Sequence, residues 1–191
     1  RALSTGKPKR SSLLVWHIGE EKGLLGSSFF VDRPTVPIDS IVAQLNMDMI
    51  GRRGGSDAKF DSRVSGATAG DRLFVVGPLA APNEQSKTLG AILDTVNMRQ
   101  VRPMNLDHEW DTPNHPERIY FRSDHYNYAR KGIPIIFYMD GSHADYHQPS
   151  DSIEKINFEQ MEKVARTIFA TGWELANRTK RPTVDKPLKL D

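Results

Sequence analysis

The chain of 191 residues contains no cysteine. That excludes a thiol nucleophile, a zinc ribbon and any disulfide staple, and it leaves the redox compartment open. No apolar stretch approaches the roughly 20 residues that a membrane-spanning helix needs, so no span is expected. Charge of one sign is lacking too. The 26 Lys and Arg stand against 24 Asp and Glu, mixed along the chain, for a formal net charge of +2. That balance gives no reason to expect a nucleic-acid partner. The first residues, Arg1-Ala2-Leu3-Ser4, offer neither an initiator Met nor the apolar core of a signal peptide. The chain is therefore expected to begin inside a longer protein.

What is present suits one domain with a full core: 38% of residues are hydrophobic and 26% charged. Residues 12–18 carry the run Leu13-Leu14-Val15-Trp16 and predict a buried strand that stops at Glu20-Glu21, ahead of Gly23 and Gly26. Leu24, Leu25, Ser28, Phe29 and Phe30 then have helical spacing, closed by Pro34. Residues 38–48 predict a second apolar strand ending at Asp48, with Gly51 beyond it. A solvated loop or weak hairpin follows over 52–72, a short strand over 73–77, an amphipathic helix over 82–98 and a strand over 101–106. Residues 107–122 are a long polar loop of the kind that is often functional.

Residues 123–132 predict a helix with Ser123 or Asp124 as N-cap and Gly132 past its end. Residues 133–139 then form a buried strand feeding the loop that holds His143, Asp145, Tyr146 and His147. The last helix, 157–177, has a core stripe of Phe158, Met161, Val164, Ala165, Ile168, Phe169 and Leu175, and 179–191 read as a surface tail. Strands alternating with helices make the class α/β.

Three predicted strand ends thus present Glu20-Glu21, Asp48 and the His143/His147 loop, and ligands in such folds sit beyond strand carboxyl ends. Carboxylates and imidazoles without thiolates are the donors of a catalytic zinc, which keeps a position open. Taken singly, each group has an ordinary explanation. An acidic pair after a strand is more often a solvated helix start, Asp48 can cap a turn, and the two histidines can be exposed loop residues. Together the three favour a site.

Four strings, in order, resemble the co-catalytic zinc aminopeptidases of metallopeptidase family twenty-eight. They are Gly19-Glu20-Glu21-Lys22-Gly23-Leu24-Leu25-Gly26-Ser27, Asn46-Met47-Asp48-Met49-Ile50-Gly51, Arg122-Ser123-Asp124-His125-Tyr126 with Gly132-Ile133-Pro134, and His143-Ala144-Asp145-Tyr146-His147-Gln148-Pro149-Ser150-Asp151. The resemblance implies a three-layer α/β/α sandwich with a mostly parallel mixed sheet, its N-terminal strands missing here. Residues 1–178 would be the C-terminal part of the catalytic domain.

It further implies Glu20 as general base, Glu21 and His147 as ligands to one zinc, Asp48 as ligand to the other, and Tyr146 as an oxyanion partner. Asp124 and His143 would stand behind the ligands, and His125 would be a supporting or loop histidine. The family's upstream histidine and bridging aspartate have no counterpart before Glu20; His17 does not match. A complete enzyme would hold two zinc ions, whereas this chain is expected to have a weak or empty site and no activity alone. The expected activity of the parent is removal of N-terminal residues from peptides. Alternatives on the same scaffold are a carboxypeptidase-type or glutaminyl-cyclase-like enzyme, or a non-catalytic binding domain. A secreted or periplasmic location follows from the resemblance, and a homo-oligomer would cover the exposed sheet edge or face.

Overall fold

A computed structural model describes residues 5–52, 72–77, 85–112 and 114–186. Among these residues four strands form one sheet: β1 (Gln44–Met47), β2 (Arg72–Val76), β3 (Asn105–Asp107) and β4 (Ile135–Met139). Their order is β1-β4-β2-β3. The pairs β1–β4 and β2–β3 are parallel, whereas β2–β4 is antiparallel, so the sheet is mixed. Both central strands are buried on both faces, as near-continuous apolar composition requires.

Among the described residues four α-helices pack on the sheet: α1 (Leu25–Asp32), α2 (Lys87–Met98), α3 (His125–Arg130) and α4 (Phe158–Asn177). Strand alternation decides which helix meets which face. Phe74 and Val76 of β2, with Ile135, Phe137 and Met139 of β4, join Val31 of α1 and Tyr128 and Ala129 of α3 in one core. Leu73, Val75, Ile136 and Tyr138 point the other way, onto Leu89, Ile92, Leu93 and Val96 of α2 and Val164, Ile168 and Leu175 of α4. Helices therefore cover both faces, which is the three-layer arrangement expected.

Local chemistry explains the helix starts. Ser86 accepts the Leu89 N–H at 3.2 Å, and Asn157 accepts the Gln160 N–H at 3.1 Å, so α2 and α4 both begin on side-chain caps. The predicted stripe of α4 holds at Val164, Ile168 and Leu175, but Phe158, Ala165 and Phe169 are exposed while Thr167 and Thr171 are buried. Each threonine hydroxyl bonds back to its own helix, to Lys163 O and Thr167 O, and so faces the sheet without an unmet donor.

One expected element is not a strand. Residues 12–18 have no ladder partner among the described residues, and Leu13, Leu14, Trp16 and Ile18 are exposed, Trp16 by 85%. Apolar composition signals a demand for burial but does not supply the neighbour. The predicted strand over 38–48 shortens to β1, preceded by a 3-10 turn at Ile38–Ser40. Most of the predicted 52–72 loop lies outside the described residues. The last described residues pack on the body: Arg181 donates to Asp39 O and Ile41 O, both at 2.8 Å, and Asp185 accepts from Lys87 N at 2.8 Å.

Candidate active site

Glu20 and Glu21 sit on a single 3-10 turn, Glu20–Lys22, bracketed by Gly19 and Gly23. Gly23 has φ 97°, which only glycine adopts without strain, and so turns the chain sharply after the acidic pair. Gly26 lets α1 approach the preceding backbone: a Cβ there would lie 2.5 Å from Ile18 O. The main-chain bond Gly26 N to Ile18 O at 2.9 Å fixes that approach.

Asp48 follows β1 directly, and its N–H donates to Tyr138 O at 3.3 Å, extending the β1–β4 pairing by one step. Its carboxylate ends a chain of side-chain hydrogen bonds. Gln44 Nε2 donates to Asn46 Oδ1 at 3.1 Å, Asn46 Nδ2 to Ser123 Oγ at 2.9 Å, and Ser123 Oγ to Asp48 Oδ2 at 2.8 Å. Ser123 therefore holds Asp48 instead of capping α3. Asp124, the residue at the N-cap, makes no capping bond either.

His147 lies on the loop after β4, at the left-handed φ of 57°. Its Nε2 is 3.0 Å from Glu21 Oε1, a contact that spans 126 residues of sequence. The Tyr146 ring stacks on the imidazole at 3.9 Å between centroids. Glu20, Glu21, Asp48, Tyr146 and His147 line one cleft of about 210 Å³, and Ile119, Phe137 and Met139 give it an apolar wall. Among the described residues the non-glycine positive-φ positions are Leu24, Met49, Arg118 and His147. All four lie in segments that bound this cleft, where strained backbone tends to gather.

Electrostatics single out the acidic end. Partial burial, then Asp48, Glu21 and Asp124 in turn, push the Glu20 carboxyl up to about 7, with His147 opposing. Burial also raises Asp48, against the hydrogen bond from Ser123. Carboxylates crowded in this way disfavour one another's charged form.

The remaining expected site residues are placed as follows. His143 is buried on the cleft wall, with Nε2 3.8 Å from Asp151 Oδ2. Asp124 is buried at the start of α3, near enough to raise Glu20 and Asp48. His125 belongs to the core, not to a loop: it stacks on Phe137 at 4.5 Å, and its Nε2 is 2.8 Å from Tyr120 O. His17 bonds the Tyr128 hydroxyl at 3.0 Å. Ser123, Arg52 and Arg122 at the site were not singled out from sequence, and only the Arg-Ser-Asp-His string marked two of them.

The description "Peptidase family M28" matches residues 1–172. The chain belongs to peptidase family M28. This M28 chain is 27% identical over 181 residues to an Arthroderma benhamiae protein named "Probable leucine aminopeptidase", covering 93% of the chain and 42% of that relative. A Pyrenophora teres protein named "Probable zinc metalloprotease" is 24% identical over 207 residues, covering 95% of the chain and 41% of the relative. The crystal structure of the Legionella pneumophila LapA aminopeptidase superposes with a TM-score of 0.59 at 22% identity, over 86% of this chain and 39% of that one. The M28 chain thus spans about two fifths of the length of the curated relatives it matches.

Proposed function

We propose that the protein containing this M28 chain is a zinc aminopeptidase, and that Glu20, Glu21, Asp48, Tyr146 and His147 are this chain's share of its active site. The observation that carries the reading is the 3.0 Å approach of Glu21 Oε1 to His147 Nε2, beside Glu20 and Asp48 in one cleft. Two donors on one tetrahedral zinc, at bonds of about 2.0–2.1 Å, lie about 3.3 Å apart. A carboxylate and an imidazole at 3.0 Å therefore fit a shared ion with only a small adjustment. Glu21 and His147 would hold one ion and Asp48 the second. Among the described residues no three such groups gather around one point, so further donors are part of the proposal.

Zinc, when bound, supplies Lewis acidity at the scissile carbonyl. Glu20 takes the proton of the attacking water and returns it to the leaving amine, a task suited to a carboxyl poised near neutral pH. The Tyr146 hydroxyl is the donor for the developing oxyanion. His143 and Asp124 stand behind the ligands, and Ile119, Phe137 and Met139 receive an apolar side chain of the peptide. A carboxypeptidase-type reading is favoured by one feature, Arg122 on the same cleft wall, which could pair with a terminal carboxylate. Location outside the cytoplasm and self-association over the exposed apolar segment belong to the same reading. Among the described residues no helix is long and apolar enough to cross a membrane.

The test is hydrolysis by the full-length protein of an aminoacyl anilide against an N-blocked peptide with a free carboxyl terminus. Glu20→Gln should lose more than about a hundredfold in kcat, within the range for a general base, while zinc content stays unchanged. Full turnover in that variant would remove Glu20 from the base role, and preference for the N-blocked peptide would favour the carboxypeptidase reading.

A further inference from the structure

Glu21, Asp48 and His147 come from three separate segments, so a shared site needs something that sets the distance between them. Main-chain bonds do part of this: Asp140 N donates to Met49 O at 3.0 Å, and Asn157 N to Gly51 O at 2.9 Å. These seat the turn after β1 against the start and the far end of the His147 segment. Within its middle, 143–151, the main-chain bonds among the described residues run only between residues of the loop itself. Tyr146 N donates to His143 O, Gln148 N to Asp145 O and Asp151 N to Gln148 O. Bonds within a turn fix its shape but not its place.

Arg52, four residues after Asp48, supplies the cross-link. Its Nη2 donates to Asp145 Oδ2 at 2.6 Å and its Nη1 to Asp151 Oδ1. These carboxylates lie two residues before and four after His147, so one guanidinium grips the loop on both sides of the imidazole. Asp145 also accepts from Ser150 Oγ at 2.6 Å and Lys155 Nζ at 2.7 Å. The Arg52 and Asp145 side chains are each only 13% exposed. That sets the Arg52–Asp145 pair apart from ordinary surface ion pairs, which contribute little, while Asp151 stays exposed. A planar fork can bridge two carboxylates at once; a lysine ammonium is a point charge on a flexible stem. His147 needs such a clamp, because a non-glycine residue at φ 57° persists only where its surroundings hold it.

We propose that Arg52 is a positioning residue of the metal site: by clamping Asp145 and Asp151 it ties the Asp48 turn to the His147 loop and holds the imidazole against Glu21. The inference rests on the reading of Glu21 and His147 as ligands to one ion, and its test separates the two. Wild-type full-length protein, Arg52→Gln, Arg52→Lys and His147→Ala are titrated with Zn²⁺ against a chromogenic chelator. Amide hydrogen exchange over 143–151 is measured on the metal-free forms.

Arg52→Gln should bind zinc about tenfold more weakly, the low end for partners that orient ligands, and its amides at 146–148 should exchange faster without metal. Arg52→Lys should recover only part of both losses. If Arg52→Gln does not fold, Arg52→Lys decides on the same two readouts. Metal-free exchange equal to wild type in the folded variant overturns the clamp, whatever the metal does. Zinc binding by His147→Ala as tight as wild type overturns the ligand reading instead, and the exchange measurement then decides the clamp alone.

Discussion

Lowering the pH should cost this protein stability through His125, which takes no part in the proposed chemistry. The ring is fully enclosed, stacked on Phe137, with Nε2 2.8 Å from Tyr120 O. Burial pulls its pKa from 6.5 down to about 3, outweighing the hydrogen bond to Tyr120. Between those values the unfolded chain holds a proton on this residue that the folded chain does not. Stability therefore rises with pH across that window and is lost as pH falls below about 6.5. Between pH 7 and pH 5 the loss amounts to about 2 kcal/mol.

Glu20 and Asp140, whose carboxyls are pushed up to about 7, act with the opposite sign, so the total slope is not the readout. His125→Gln keeps an N–H for Tyr120 O but does not titrate. Urea unfolding of both proteins at the two pH values gives the double difference. Wild type should lose about 2 kcal/mol more than the variant on acidification. Equal changes in both proteins would show that His125 is protonated or solvated in the fold, and would refute the argument from burial.

Other consequences follow from single contacts. Ser123→Ala removes the Asp48 donor and leaves the buried Asn46 Nδ2 without its acceptor, at a cost of about 1–3 kcal/mol in urea unfolding. An unchanged midpoint would mean that Asn46 and Asp48 find other partners. Gly26→Ala places a Cβ 2.5 Å from Ile18 O, where only backbone can yield, and should destabilise by about 1–3 kcal/mol. A neutral result there would show that the turn carrying Glu20 and Glu21 shifts freely.

Sequence alone went furthest where apolar runs and helical periodicity are local, and less far at the cap of α3, where neither Ser123 nor Asp124 makes a capping bond. The unbroken apolar run of β4 and the helical spacing of α2 and α4 are local signals, and the elements they predict are present. The acidic pair, Asp48 and His147 were visible as polar groups closing apolar runs, and the structure brings them to one cleft. Residues 12–18 show the limit of such reading, since a strand exists only where another strand pairs with it. Phe158 and Phe169 show a second limit. Helical spacing gives the stripe, but α4 turns its threonines inward because their hydroxyls are satisfied within the helix. The roles of Ser123, which the sequence marks only as part of a string, and of Arg52 are not legible for a different reason: their partners lie 75 and 93 residues away, and no local pattern records such a pairing.

The central claim is that Glu21 and His147 share one zinc ion. A double-mutant cycle on Zn²⁺ affinity in the full-length protein, with Glu21→Gln, His147→Ala and both together, tests it most directly. Two ligands of one ion predict strong non-additivity, the double variant binding no more weakly than the worse single one. Losses that simply add, or single variants that bind zinc as tightly as wild type, would contradict the shared ion and leave the 3.0 Å contact as a hydrogen bond alone.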